Sequence, residues 1–483
     1  MPPSTQLTRS LYLRALGLVF LCAFASLAVQ VDGLIGSHGI APAERLFAFA
    51  HAQLTFAQLP SVFWLGASDA ALHAACWGGA ALSVLLVAGV APRPVLVALW
   101  ALYLSLMGAG SVFLQFQWDA LLVETAALSV LFAPWSWRLR HDRPQTENRA
   151  GLWLLRLLLF RLMFSSGLVK LLSGDPTWRS FRAMDFHYWT QPLPGPLSAF
   201  AHFQPRGVHT AEAVAMFLVE LVVPFFIFAP RRLRLAAFVP LAGLQGMILT
   251  TGNYGFFNLL TLVLCLTLLD DAALQRFLPR GLLQPAAPPR PAPRWRRVSA
   301  GVLAALLAAL GVGELVERVG VGPFVPERAR GLGLVSSYGL FAVMTTTRSE
   351  ILLEGSADGT AWRPYEFRYK PGRLDRTPPL LLGHMPRLDW MMWFAALGDC
   401  GSSRWLLELQ AGLLGGDSAA ASLFAANPFP TAPPRYLRTT AWQYRFSTPA
   451  ERREGAPFWS REPAGPFCPE LQLVDGHLEE VEP

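Results

Sequence analysis

Long apolar runs separated by short polar loops fill the first two thirds of this 483-residue chain. Runs of spanning or near-spanning length cover Leu11–Val31, Ala70–Ala91, Val95–Phe113, Asp119–Trp135 and Gly151–Leu172, then Ala211–Phe228, Leu233–Thr250, Tyr254–Leu269 and Val298–Val316. A helix needs about 20 mostly apolar residues to cross a bilayer's hydrocarbon core. The pattern therefore predicts a polytopic α-helical membrane bundle of about nine helices. The first run carries Arg9 and Arg14 at its front, and Ala23-Phe24-Ala25 gives it a passing likeness to a cleaved signal peptide. Because a whole bundle follows, a retained first helix is the favoured reading.

Beyond about residue 322 the pattern changes to that of a soluble domain. Ser349–Glu354 and Arg363–Tyr369 are short strand-like segments, with turn chemistry at 355–359 between them. Arg387–Leu397 and Ser403–Leu414 read as helices, Asn427-Pro-Phe-Pro430 stops a short helix, and Tyr436–Phe446 reads as a returning strand. The expected organisation is a helical transmembrane domain over 1–320 and a soluble domain over 321–483. The second is a β-rich α+β fold or a β-sandwich, with a tail partly disordered after about 450. Residues 284–294, QPAAPPRPAPR, form a Pro-rich cytoplasmic linker ahead of the last helix. No internal repeat is visible, which disfavours a transporter built from matching halves.

Composition agrees with a membrane setting: 53% of residues are hydrophobic and only 15% charged. The net charge of +7 does not point to nucleic acid, because the arginines fall in short loops between apolar runs. Arg93, Arg138, Arg140, Arg143 and Arg149, Arg231, Arg232 and Arg234, and Arg276, Arg280, Arg290, Arg294, Arg296 and Arg297 all follow even-numbered spans. Under the positive-inside rule this alternation makes the amino terminus cytoplasmic and the C-terminal domain non-cytoplasmic. A multi-pass protein of the bacterial inner membrane, or of the endoplasmic reticulum membrane in a eukaryote, follows, with the lipid bilayer as its first partner. Of five cysteines, Cys22, Cys76 and Cys265 lie in apolar runs and read as small core residues. Cys400 and Cys468 are the only pair in the polar third and could form one disulfide in an oxidising compartment.

The ionisable residues inside the expected spans include Asp119, Glu124, Arg156, Arg161, Lys170 and Glu220. Each costs about 2.5–3.5 kcal/mol at the bilayer centre unless paired, so the acids are expected opposite the basic residues within the bundle. Asp119, Lys170, Asn253 and Asn258 should lie toward the outer leaflet. Lys170 stands out because the chain has only two lysines, Lys170 and Lys370, against an otherwise all-arginine usage. It is read either as a group with lysine-specific chemistry or as one that snorkels from a helix end. A purely structural ion-pair network is the bland alternative for the whole cluster. No G-x-S-x-G elbow, H-E-x-x-H pair or Gly-rich phosphate loop occurs. The spacing of His187, His202 and His209 matches no usual ligand pattern, so neither a metal nor a cofactor is predicted.

Several stretches together resemble the lipase maturation factor family. They are FQWDALLVET (116–125), GDPTW (174–178), DFHY (185–188), TQPLP (190–194) and GNYGFFNLLT (252–261), then YEFRYKPG (365–372), PRLDW (386–390) and NPFP (427–430). The likeness runs from about residue 10 to about 447 and marks Asp175, Trp178, Tyr188 and Gln191 as a motif loop. Gly167-Leu-Val-Lys170 followed by Asp175 and Trp178 is also distantly similar to the membrane domain of vitamin K-dependent gamma-carboxylase, where a lysine at the corresponding place is held to be the catalytic base. The family resemblance implies a membrane-anchored maturation factor or chaperone that helps exported proteins such as lipases to fold and assemble. The runner-up is an integral membrane enzyme of carboxylase-like type, with Lys170 as base in a polar cavity acting on a lipid-soluble or polypeptide substrate. The balance leans away from an enzyme.

Overall fold

The computed structural model describes residues 4–140, 145–146, 149–277 and 292–481. Most of the expected Pro-rich linker, with Arg143, Arg280 and Arg290, lies outside them. Among the described residues, the N-terminal part is built chiefly on α1 (Gln6–Ala28), α2 (Asp69–Ala88), α3 (Pro92–Ala109), α4 (Gln117–Phe132), α5 (Arg149–Leu172), α6 (Arg206–Phe228), α7 (Arg231–Thr251), α8 (Phe257–Leu268) and α9 (Arg294–Arg318), with shorter helices such as Ala43–Gln53 in the connections. Among the described residues, seven of these are long and apolar enough to cross a membrane. The other two are α4, with 16 residues, and α8, ending in a 3₁₀ turn. Both are buried among other helices and need not match the thickness of a lipid layer.

Local chemistry sets the helix ends. Asp271 accepts from the Gln6 and Thr8 amides at 3.0 and 2.9 Å, satisfying donors at the free start of α1. Gly89, in the left-handed region at φ 75°, ends α2. α1 and α2 cross closely because Gly79 carries no side chain: a Cβ there would lie 2.3 Å from the Phe24 ring. α6 is not uniform. Pro224 has no amide hydrogen and its ring opposes the carbonyl four residues back, and the helix widens into a π-helical turn at Leu218–Val222 before tightening to 3₁₀ geometry.

The C-terminal domain holds one sheet rather than a sandwich. Its strands are β1 (Ser349–Ser356), β2 (Trp362–Pro364), β3 (Tyr436–Phe446), β4 (Trp459–Val474) and β5 (His477–Glu480). They run antiparallel in the order β2-β1-β3-β4-β5. The tail after 450, expected to be partly disordered, is ordered through β4 and β5. Pro463, Gly465, Pro466 and Pro469 disfavour a regular strand, yet the β3–β4 ladder absorbs them through register shifts near Thr439 and Ala441. Cys400 and Cys468 are joined by a disulfide with Cα atoms 5.2 Å apart, tying β4 to the loop before helix α11 (Arg404–Leu414).

The two parts share one hydrophobic core. Helix α10 (Arg387–Ala395) drives Trp390 against Trp118 and Tyr254, with ring centroids 4.7 and 5.6 Å apart, and stacks Phe394 on Phe116 at 5.4 Å. The sheet is thus seated on the bundle.

Candidate functional site

The ionisable residues of the apolar spans do not gather into one cluster. They form three separate buried arrangements, with Arg156 held apart from them by a backbone carbonyl. In the first, Asp119 on α4 receives both Arg387 guanidinium nitrogens at 2.6 Å, and the Tyr103 hydroxyl donates to it at 2.7 Å. Arg387 also donates to the Phe113 carbonyl. The partner of Asp119 therefore comes from the C-terminal domain and not from α5. Planar guanidinium and carboxylate match bidentately, the strongest form of such a pair.

In the second, Arg161 on α5 donates to Glu124 at 2.5 Å and to the Ser336 carbonyl at 2.6 Å, with Glu314 of α9 3.8 Å away. The Tyr338 hydroxyl takes the other Glu124 oxygen at 2.6 Å. Arg156, expected opposite an acid, instead donates twice to the Thr267 carbonyl, at 3.0 and 2.8 Å. A carbonyl at the end of α8 substitutes for a carboxylate because the last carbonyls of a helix lack intrahelical donors.

The third arrangement centres on Lys170, whose partner is Glu220 rather than Asp119 or Glu124. Nζ lies 2.8 and 3.2 Å from the two Glu220 oxygens and 3.0 Å from the Ser166 carbonyl. Glu220 reaches it from the π-helical turn of α6. Close approach depends on Gly167, where a Cβ would stand 2.7 Å from the Leu221 side chain and 3.0 Å from Glu220 Cβ. The Trp178 ring covers the ammonium, its centroid 5.5 Å from Nζ. The second lysine follows the same plan: Lys370 meets Glu350 at 2.7 Å and the Ile351 and Pro371 carbonyls at 3.2 and 3.1 Å. Each lysine uses its compact three-donor head where arginine's planar fork has no equivalent geometry.

A cavity of about 100 Å³ lies beside this third pair. Lys170, Glu220, Gln245, Asn258 and His187 line it together with apolar side chains, while Asp119 stands apart. Asn258 donates to Gln245 Oε1 at 2.8 Å. Asn253 acts away from the cavity, donating to the Pro194 and Pro379 carbonyls and accepting from the Leu381 amide at 2.7 Å, which stitches the C-terminal domain to the bundle.

The motif loop works as a second set of ties. Asp175 Oδ1 accepts from Thr177, and Oδ2 from the Met344 amide at 2.7 Å. Burial pushes its carboxyl upward, but the bonds from Thr177 and Met344 outweigh it and leave the group below its ordinary value. Trp178 donates to the Phe341 carbonyl at 2.9 Å, Tyr188 to Glu212 at 3.0 Å, and Gln191 accepts from Tyr254 at 2.9 Å. Burial, with the Lys170 charge behind it, lowers His187 to about 4 and keeps the ring neutral.

Reading residues one span at a time missed the far partners. Arg387, Arg348, Glu350 and Gln245 all carry buried polar contacts. Arg348, for example, donates to the Trp189, Gln191 and Pro192 carbonyls of the loop after α5. Arg387 and Lys370 stand within the motif stretches PRLDW and YEFRYKPG, and that was the signal available for them. The two stretches also meet: Asp389 accepts from the Tyr369 and Lys370 amides at 2.7 and 2.8 Å.

Comparison with known proteins follows the same division of the chain. A sequence model of the lipase maturation factor transmembrane domain matches residues 7–276, and one of the lipase maturation factor C-terminal domain matches residues 334–469. Lipase maturation factor 2 of Homo sapiens is 35% identical over 98% of this chain and 84% of its own length. Lipase maturation factor 1 of Mus musculus is 34% identical over 97% of this chain and 88% of its own. No solved structure matches. With both halves matched and the motif residues engaged in the contacts that join them, the chain belongs to the lipase maturation factor family, as a multi-pass membrane protein.

Proposed function

We propose that this protein is a membrane-anchored maturation factor that assists the folding or assembly of exported proteins, with lipases among its clients. The carrying observation is the alignment of relatives named lipase maturation factors with nearly the whole chain, bundle and sheet together. The geometry supports a rigid division of labour. Arg387, Asn253 and Asp175 fasten the C-terminal domain to the bundle at three separate points, so the domain presents itself to clients at a fixed height above the bilayer. Arginine placement after the even-numbered spans of a nine-helix topology supports a non-cytoplasmic side for this domain, and a disulfide there suits an oxidising compartment.

The carboxylase-like alternative is not favoured. A catalytic base needs a free lone pair, and the three N–H bonds of Lys170 are matched by three acceptors. The reading is tested by co-expression with a secreted lipase in cells lacking their own maturation factor, measuring active lipase per amount secreted. The expected result is restored activity, and an equal yield of active lipase with and without the chain would sink the reading. Reporter fusions that work only outside the cytoplasm should be active after residue 320 and inactive after 145 and 285. Activity at 285 would overturn the nine-helix topology.

A further inference from the structure

The cavity beside Lys170 reaches Met247, which is exposed on the flank of α7. That helix has only 17% of its central window buried within the protein, so its flank faces bilayer hydrocarbon. The cavity wall also includes Met163, Met216 and Phe257, whose side chains offer nothing stronger than a thioether contact. Hydrocarbon can therefore run from the bilayer into the cavity without loss of solvation.

The cavity wall also carries a pair of amides that is not fully satisfied. Asn258 is wholly buried, and its Oδ1 has no hydrogen-bond partner among the described residues. Gln245, whose Oε1 takes the Asn258 amide, has only the Met163 sulfur, 3.9 Å away, for its own Nε2. The two amides share one hydrogen bond and leave a complementary acceptor and donor. A buried acceptor without a partner costs about 1–3 kcal/mol, so a group that both donates and accepts is favoured here.

Charge and size narrow the ligand. The charged side chains around the cavity are Lys170, Glu220 and Glu212. Lys170 and Glu220 neutralise each other, and Glu212 accepts from Tyr188, so an anionic head finds no unpaired cation. A cavity of about 100 Å³ is several times the roughly 10–15 Å³ that one water needs on the same measure, so it has room for a small head group. It is the lack of an unpaired cation among the lining residues that disfavours phosphate-bearing heads, and an uncharged hydroxyl-bearing head meets no such obstacle.

We propose that this cavity binds an uncharged membrane lipid carrying a free hydroxyl, which donates to Asn258 Oδ1 and accepts from Gln245 Nε2 while its hydrocarbon leaves past Met247. The site goes beyond the maturation reading and does not depend on it, since lipid binding needs no client.

The test uses the full chain in phosphatidylcholine nanodiscs with three photoreactive probes of identical acyl chains: a diacylglycerol, a phosphatidic acid and a phosphatidylcholine. The diacylglycerol probe should crosslink peptides of α5, α7 and α8, be displaced by dioctanoylglycerol, and exceed the other two. Asn258→Leu should lower that labelling about five- to tenfold, the weight of one buried hydrogen bond. Met247→Trp, at an exposed position that leaves every hydrogen bond in place, should lower it comparably and serves if Asn258→Leu melts early. Equal labelling by all three probes, undiminished labelling in Met247→Trp, or none at all, as for a cavity holding water only, overturns the proposal.

Discussion

Two buried ion pairs of the bundle, Asp119–Arg387 and Lys170–Glu220, have the same net charge and nearly the same burial, but differ in what surrounds them. The first is closed. Arg387 fits Asp119 bidentately, Tyr103 and the Phe113 carbonyl take up further bonds, and the Trp118–Trp390 contact packs the seam between bundle and sheet. The second is open, with a cavity on one side and a π-helical turn supplying the acid. A closed pair between two parts of a chain fixes their geometry. An open pair in a widened helix leaves space where a ligand can act, and π-turns often accompany such sites. Asp119 thus belongs to the joint between bundle and sheet, whereas the surroundings of Lys170 leave a cavity.

Breaking the closed pair should have the larger effect. Arg387→Met leaves Asp119 buried without its cation, and loss of one member of a buried pair costs about 3–5 kcal/mol. Thermal melting should fall sharply, and limited proteolysis should release the C-terminal domain before the bundle is cut. Arg387→Met with Asp119→Leu should recover part of the loss, because no charge is then stranded. If the single variant melts like the parent, the pair does not hold the two parts together.

How much of this could be read in advance depends on the range of the contact. Charged residues inside apolar runs announced themselves, and Glu124, Arg161, Lys170 and Glu220 do lie buried in the bundle. Partner choice was not legible, because Arg387 stands 268 positions from Asp119 in a stretch of soluble composition. Nor could residue spacing show that α6 widens at Glu220, which depends on Pro224 and on the absence of a side chain at Gly167. β4 was hidden for a local reason: its prolines and glycine lower strand propensity, and only the neighbouring β3 makes an extended path favourable. The short α4 and α8 looked like full spans because hydropathy does not distinguish a helix buried in protein from one bathed in lipid.

Narrowing the open site is the intermediate case. Gly167→Ala introduces a Cβ 2.7 Å from Leu221, so α5 and α6 must separate or repack at a cost of about 1–3 kcal/mol. Lys170→Arg keeps the charge and replaces the compact head by a planar fork, so the melting temperature should fall moderately while client maturation persists. Complete loss of maturation at parental folded yield would revive Lys170 as a base. A Lys170→Arg protein that is active but melts early would show that the site asks for lysine's shape and not for its proton.

The smallest expected effect is a pH dependence, to which each region contributes one histidine. His384 lies against the closed pair, 3.0 Å from Ser26 Oγ, and burial together with the Arg387 and Arg368 charges lowers it to about 4. His187, at the open site, is lowered to about 4 by burial and Lys170. Both rings are neutral in the folded protein, whereas an unfolded histidine takes its proton near pH 6.5. The unfolded state therefore binds more protons between pH 6.5 and 4, and stability falls as pH falls through that window and is level above it. Melting should show this slope in the parent, and His384→Asn should flatten it, since the substitution removes the titration beside a packed junction that cannot relax around a second cation. His187→Asn should flatten it comparably, since its ring is lowered to the same value. An unchanged slope in His187→Asn, with His384→Asn flattening it, would mean that water entering the cavity solvates the His187 imidazolium, and the open site would then differ from the closed one in hydration as well as in geometry.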